Sequence, residues 1–170
     1  LVQLATGSGH LVEDVYALTS AYGPSEGLVW VGGTGNVSNF IIRGVQHILP
    51  ACAVNLNASS GNIRRGIVSD VIYNGFSGTP SNYQIDLVTS GAHSISEISI
   101  SNFQISAQAP NGIRVSQGSS GSTKNVTISS GNITGSTGIG LLLERTAGTL
   151  ESVRVEEGFQ ALDRATPVSQ

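Results

Sequence analysis

The sequence predicts an all-β chain: a right-handed, single-stranded parallel β-helix, a solenoid of about six coils belonging to a longer polypeptide. Three observations lead there. Only 11% of the 170 residues are charged, against about 25% in ordinary domains, while Val and Ile recur from end to end, which disordered chains do not show. A short alternating apolar pattern returns at solenoid-like intervals. A second alternation follows each copy of the first, in phase with it.

The first pattern reads Phe40-Ile-Ile42, Ile67-Val68, Ile98-Ser-Ile100, Val126-Thr-Ile128 and Val153-Arg-Val155. Aligned on Ile42, Val68, Ile100, Ile128 and Val155, the steps are 26, 32, 28 and 27 residues by subtraction. These lie in the range of repeat architectures. The second pattern contains Val54, Ile85, Ile113 and Ile139, with steps of 31, 28 and 26. Period-two alternation sends each of these residues inward and its neighbours outward. Gly-, Asn- and Ser-rich stretches such as Ser59–Asn62 and Ser119–Ser122 suit the corners between strands. The expected organisation is a single domain over residues 1–170. It has an N-terminal coil or cap over 1–27, regular coils over 28–163 and a C-terminal tail over 164–170. Val12–Leu18 is the one stretch with a hint of helical spacing, too short to assign.

Composition narrows the function. A net charge of −3 with scattered Lys and Arg is no nucleic-acid footprint. No apolar run reaches the roughly 18 residues of a membrane helix. The lone Cys52 leaves no internal disulfide and reads as a small buried hydrophobe. Gly32-Gly-Thr-Gly35 lacks the Lys-Ser/Thr of a phosphate loop and reads as a turn. Four Asn-X-Ser/Thr acceptor patterns, beginning at Asn36, Asn57, Asn125 and Asn132, are expected by chance in so polar a chain.

The coils Ser94–Phe103 with Gly112–Gln117, and Lys124–Ile133 with Gly138–Glu144, resemble pectin-lyase-like β-helices, especially bacteriophage tailspikes. The likeness covers roughly residues 28–163. It implies a homotrimeric virion or extracellular appendage that binds, and in some members cuts, bacterial surface polysaccharide without a cofactor. The resemblance brings no catalytic motif with it. The Asn-Thr-Asp, Asp-Asp and Gly-His-Gly stretches of the polygalacturonase-like branch are absent from this sequence. An enzyme reading, a polysaccharide lyase or glycoside hydrolase, and a structural or adhesin reading therefore stand beside the binding one.

Candidate residues follow from register. Asp86, between inward Ile85 and Leu87, points outward, and one coil on it meets Arg114, between Ile113 and Val115. Together they form either a sugar-binding pair or a cross-strand ion pair. Glycoside hydrolysis needs two carboxyl groups, and Asp70, Asp86 and Glu97 are the candidates, with Glu144 behind them. Asp70 recurs as Asn102 and Glu157 in later coils, which also suits a corner role. Trp30 is read as a buried plug near one end of the rod; exposed, it is a platform for stacking a sugar. Phe76, in the longest loop, is a candidate exposed contact, whereas Tyr73 and Tyr83 fall inward. Ile41 and Ile67, stacked outward, form an apolar strip suited to self-association.

Overall fold

Strands with one apolar face must bury it, and here each coil buries it against the coils above and below. The computed structural model describes residues 2–17, 27–48, 52–74, 83–106, 111–118, 120–134 and 139–162. All regular structure among them is strand. In chain order the strands are β1 (Val2–Leu4), β2 (Gly7–Ser8), β3 (Leu11–Ala17), β4 (Val29–Gly32), β5 (Val37–His47) and β6 (Val54–Ala58). Then come β7 (Ile63–Asn74), β8 (Tyr83–Thr89), β9 (Ser94–Ser101), β10 (Gln104–Ser106) and β11 (Asn111–Gln117). The last are β12 (Ser122–Ser129), β13 (Gly131–Thr134), β14 (Leu141–Arg145), β15 (Thr149–Val155) and β16 (Phe159–Leu162). Val12–Ala17, with its helical hint, is strand.

Every pairing is parallel. A six-stranded sheet runs β1-β4-β6-β8-β11-β14, and the other ten strands form a second, broader sheet. The chain is a β-solenoid of about five turns, and the six expected coils are the six rungs of the narrow sheet. The register reproduces the first column, pairing Ile42 with Val68, Val68 with Ile100, Ile100 with Ile128 and Ile128 with Val155, and adds Val12 below Ile42. Ile42 through Ile128 are fully buried; Val155, on the outermost strand, is 45% exposed. The second column runs Val2, Val29, Val54, Ile85, Ile113 and then Leu141, where Ile139 was expected. Ile139 and Leu141 share the same alternation, so only backbone pairing could separate them.

The unequal period has a local origin. From His47 to Val54 is 7 residues, whereas from Tyr73, the partner of His47, to Ile85, the partner of Val54, is 12. The opposite corner varies less: 33–36, 59–62, 90–93 and 118–121 each put four residues between strands, 146–148 three and 5–6 two. Asparagines stitch it. Asn62 N–H donates to Asn36 Oδ1 at 2.8 Å, and Asn62 Oδ1 accepts from Ser94 N–H at 2.8 Å.

The broad sheet bends twice per coil, each time at one residue in the left-handed region. Asn39, Arg65, Glu97, Asn125 and Ser152 (φ 52–58°) make one ladder. Asp14, Asp70, Asn102 and Ser130 (φ 50–56°), with Gly44 and Gly158, make the other. This conformation costs an L-residue roughly 1–2 kcal/mol and is least unfavourable for Asn, Asp and Gly. The second ladder uses mainly those residues. Glu157 is therefore not the last equivalent of Asp70. One extra residue after Val155 places Gly158 there.

Two aromatic rings fill the core through glycine. Phe40 pairs with Gly66 in the next coil, and a Cβ on Gly66 would overlap the Phe40 ring. Phe103 stands in the same relation to Gly131. A polar cluster is also internal: His47 Nε2 donates to Gln84 Oε1 at 3.0 Å, and its ring lies 4.8 Å from that of Tyr73. All three residues are fully buried. Burial lowers the His47 pKa to about 4, opposed by the Gln84 hydrogen bond.

Two outcomes follow. Gly66→Ala should cost about 1–3 kcal/mol by overpacking in urea denaturation, and Phe40→Leu in the same chain should recover part of it. A double variant no more stable than the sum of the two single losses would remove the glycine–ring pairing as the cause. For His47, the unfolded chain takes up a proton near pH 6.5 and the folded chain only near pH 4, so stability falls as pH drops through that window. The loss approaches about 3 kcal/mol. Thermal melts from pH 7 to 4 should show this slope in the native chain and a shallower one in His47→Phe.

Candidate functional site

The outward face of the narrow sheet holds a straight column. Register places Gln3, Trp30, Asn55, Asp86, Arg114 and Leu142 side by side on successive rungs. Three of the residues singled out from sequence, Trp30, Asp86 and Arg114, thus share one line along the solenoid axis. Rungs repeat about every 4.8 Å, so Trp30 and Arg114 stand roughly 14 Å apart.

Asp86 and Arg114 form a bidentate pair. Arg114 Nε donates to Asp86 Oδ1 at 2.8 Å and Nη2 donates to Oδ2 at 2.6 Å. The guanidinium also sits 5.0 Å from the centroid of the buried Tyr83 ring, within cation–π range. The Asp86 side chain is 10% exposed and that of Arg114 31%, so this is more than the surface ion pair considered from sequence. The Asp86 hydrogen bond pushes the Arg114 pKa up against the opposing effect of burial. Burial raises that of Tyr83. The Cys52 thiol is held far above its ordinary range, first by burial and then by the charge of Asp86, so it is an unreactive core group. Asn55 is buried, and its Oδ1 has no hydrogen-bond partner. In the neighbouring column Ser116 Oγ donates to Glu144 Oε2 at 3.3 Å.

Trp30 departs from expectation. It lies between buried Val29 and Val31 and so points outward, partly exposed. Its indole Nε1 would lie 3.3 Å from a Cβ on Gly32, so the ring spreads over a glycine.

The other candidates are elsewhere. Asp70 occupies the second bend of the broad sheet, accepting from Ser69 Oγ at 2.8 Å and from Asn102 Nδ2. Glu97 occupies the first bend, paired with Arg65 Nε at 3.0 Å. Glu97 precedes Asn102, the rung equivalent of Asp70, by five residues, or about 15 Å of strand. Asp86 belongs to the other sheet. Asp70, Asp86 and Glu97 are therefore not brought together at the roughly 5–9.5 Å of a glycosidase pair. Phe76 lies outside the described residues. Among the described residues no group of three or more His, Cys, Asp or Glu could hold a metal ion.

Sequence reasoning missed two features. Asn55 falls between Trp30 and Asp86 and could have been found by extending the second column one coil back. A groove of about 480 Å³ beside the second bend, lined by Asp70, Asn102, Gln104, Asn132 and Gln160 among others, carried no apolar signal. On the broad sheet the Ile41–Ile67 strip is present and longer than expected. Leu11, Ile41 and Ile67 are directly paired and 56%, 38% and 45% exposed.

Compared with protein-family models, curated proteins and solved structures, the chain has no significant match in any of the three.

The bidentate pair makes a measurable prediction. Arg114→Ala, which leaves a nearly buried carboxylate unpaired, should cost about 3 kcal/mol or more. The Asp86→Ala, Arg114→Ala double variant should lose clearly less than the two singles combined. Strict additivity in denaturant melts would show that the two side chains act independently.

Proposed function

We propose that this chain is a right-handed β-helix segment of a virion tailspike or similar extracellular appendage that binds bacterial surface polysaccharide. The observation that carries the reading is the alignment of Trp30, Asn55, Asp86 and Arg114 in one column along the axis. A polysaccharide is extended and repetitive, and Trp30 and Arg114, the partly exposed members of this stretch, stand roughly 14 Å apart along the axis with Asn55 and Asp86 buried between them. The Trp30 ring offers an apolar platform for a sugar face. Arg114, fixed by Asp86 and Tyr83, offers donors to hydroxyl or carboxylate oxygens without first having to be ordered.

Binding is favoured over cutting. Both oxygens of Asp86 are engaged by Arg114, and no second carboxylate from the expected set stands close to it. Likeness of the repeat pattern to tailspike β-helices supports the appendage setting. Right-handed coils accord with the hand of nearly all parallel crossovers. The Leu11–Ile41–Ile67 strip supports a homotrimer with that face turned toward neighbouring copies.

Trp30 is the sole tryptophan, so its emission reports on this face alone. Titration with a panel of bacterial capsular and O-antigen polysaccharides should shift or quench it for at least one member. Trp30→Ala should weaken that binding about tenfold or more without changing the melting temperature by more than a few degrees. Emission indifferent to every glycan would sink the binding reading. Sedimentation equilibrium should give three times the chain mass, and Ile41→Asp with Ile67→Asp should give monomers. A native monomer at all concentrations would remove the trimer.

A further inference from the structure

We infer that the groove beside the second bend is a separate binding site for a neutral, hydroxyl-rich oligosaccharide laid along the solenoid axis. It does not depend on the Trp30 column, which lies on the other sheet.

The groove is built by repetition. Asp70, Asn102, Ser130 and Gly158 take the same left-handed bend on four successive coils. Two residues beyond it, Ile72, Gln104, Asn132 and Gln160 stand in one column by direct pairing. Between these two columns lies the cavity of about 480 Å³, within the usual range of small-ligand sites. It runs across four rungs, or roughly 14 Å of axis. Gly131 and Gly158 also line it and put no side chain in the way.

Its chemistry selects the ligand. Gln104, Asn132 and Gln160 present carboxamides at consecutive rungs, and each carboxamide both donates and accepts. A sugar hydroxyl does the same, so a ladder of amides matches a ladder of hydroxyls. Asn132 Oδ1 is itself buried and has no hydrogen-bond partner, so Gln104 and Gln160, both at exposed positions, present the most accessible amides. Among the described residues no Lys or Arg lines the groove, and the one charged residue on its lining, Asp70, is anionic. Asp70 already accepts from Ser69 and Asn102. Phosphate, sulfate and uronate chains are thereby disfavoured. Among the described residues the large apolar side chains on the lining are Ile72 and the buried Phe103, so an apolar peptide or lipid has little to hold.

The test is an NMR titration of the whole chain with neutral gluco-, galacto-, manno- and rhamno-oligosaccharides of four to eight units. Oligogalacturonate serves as the acidic counterpart. The side-chain amide signals of Gln104, Asn132 and Gln160 should move together with at least one neutral series and stay still with oligogalacturonate. Gln104→Ala with Gln160→Ala, both at exposed positions, should weaken that binding at least tenfold with an unchanged melting curve. Trp30→Ala should leave the shifts intact, which separates this site from the narrow-sheet face. Silence of the three amides across every neutral series, equal response to the acidic chain, or full binding by the double variant would each overturn the inference.

Discussion

Everything in this molecule depends on aliphatic side chains stacking on their equivalents one coil away. A single coil has no core: its inward Val, Leu and Ile are covered only when another coil lies on each side. The column Ile42, Val68, Ile100 and Ile128 is fully buried, while Val155, on the last strand of the same column, is nearly half exposed. Stability of this kind is a sum of nearest-neighbour contacts, and it tolerates wide variation in what hangs outside. The binding surfaces inherit their geometry from it. Outward residues line up because inward ones do.

That dependence explains how much was legible in the sequence. The apolar positions repeat in phase, so aligning Ile42 with Val68, Ile100, Ile128 and Val155 amounted to reading the backbone register, and all four pairings are present. Where the apolar pattern was locally degenerate, the reading slipped. Ile139 and Leu141 have the same parity, and the extra residue after Val155 moved the bend from Glu157 to Gly158. The first bend was invisible for another reason. Arg65 and Glu97 are not turn-formers, yet both take a left-handed conformation and pair with each other across adjacent coils.

The candidate sites show the same division. Asp86 and Arg114 were found because each lies between two inward residues of an aligned pair. Trp30 was misjudged because Leu28-Val-Trp-Val31 is apolar at every position, which leaves alternation without a phase. The three carboxylates looked like companions in the sequence and stand on different stretches of the coil. The amides of Gln104, Asn132 and Gln160 are 28 residues apart at each step. Nothing in their immediate surroundings distinguishes them from other polar outward residues, and only the bend beside them makes a groove.

The two corners joining the sheets differ in a way that bears on how such a chain can change. The Asn-stitched corner varies only from two residues to four, whereas the segments leading into the narrow sheet run from four residues (107–110) to eleven (18–28). Length has thus varied along one edge of the rod while the strands kept their pairing. The pairing of the strands holds on both sides of these unequal segments, and an insertion at the opposite edge near Asn62 would break its hydrogen bonds to Asn36 and Ser94. Evolutionary novelty in this scaffold has one permissive border, and that border adjoins the face bearing Trp30 and Arg114.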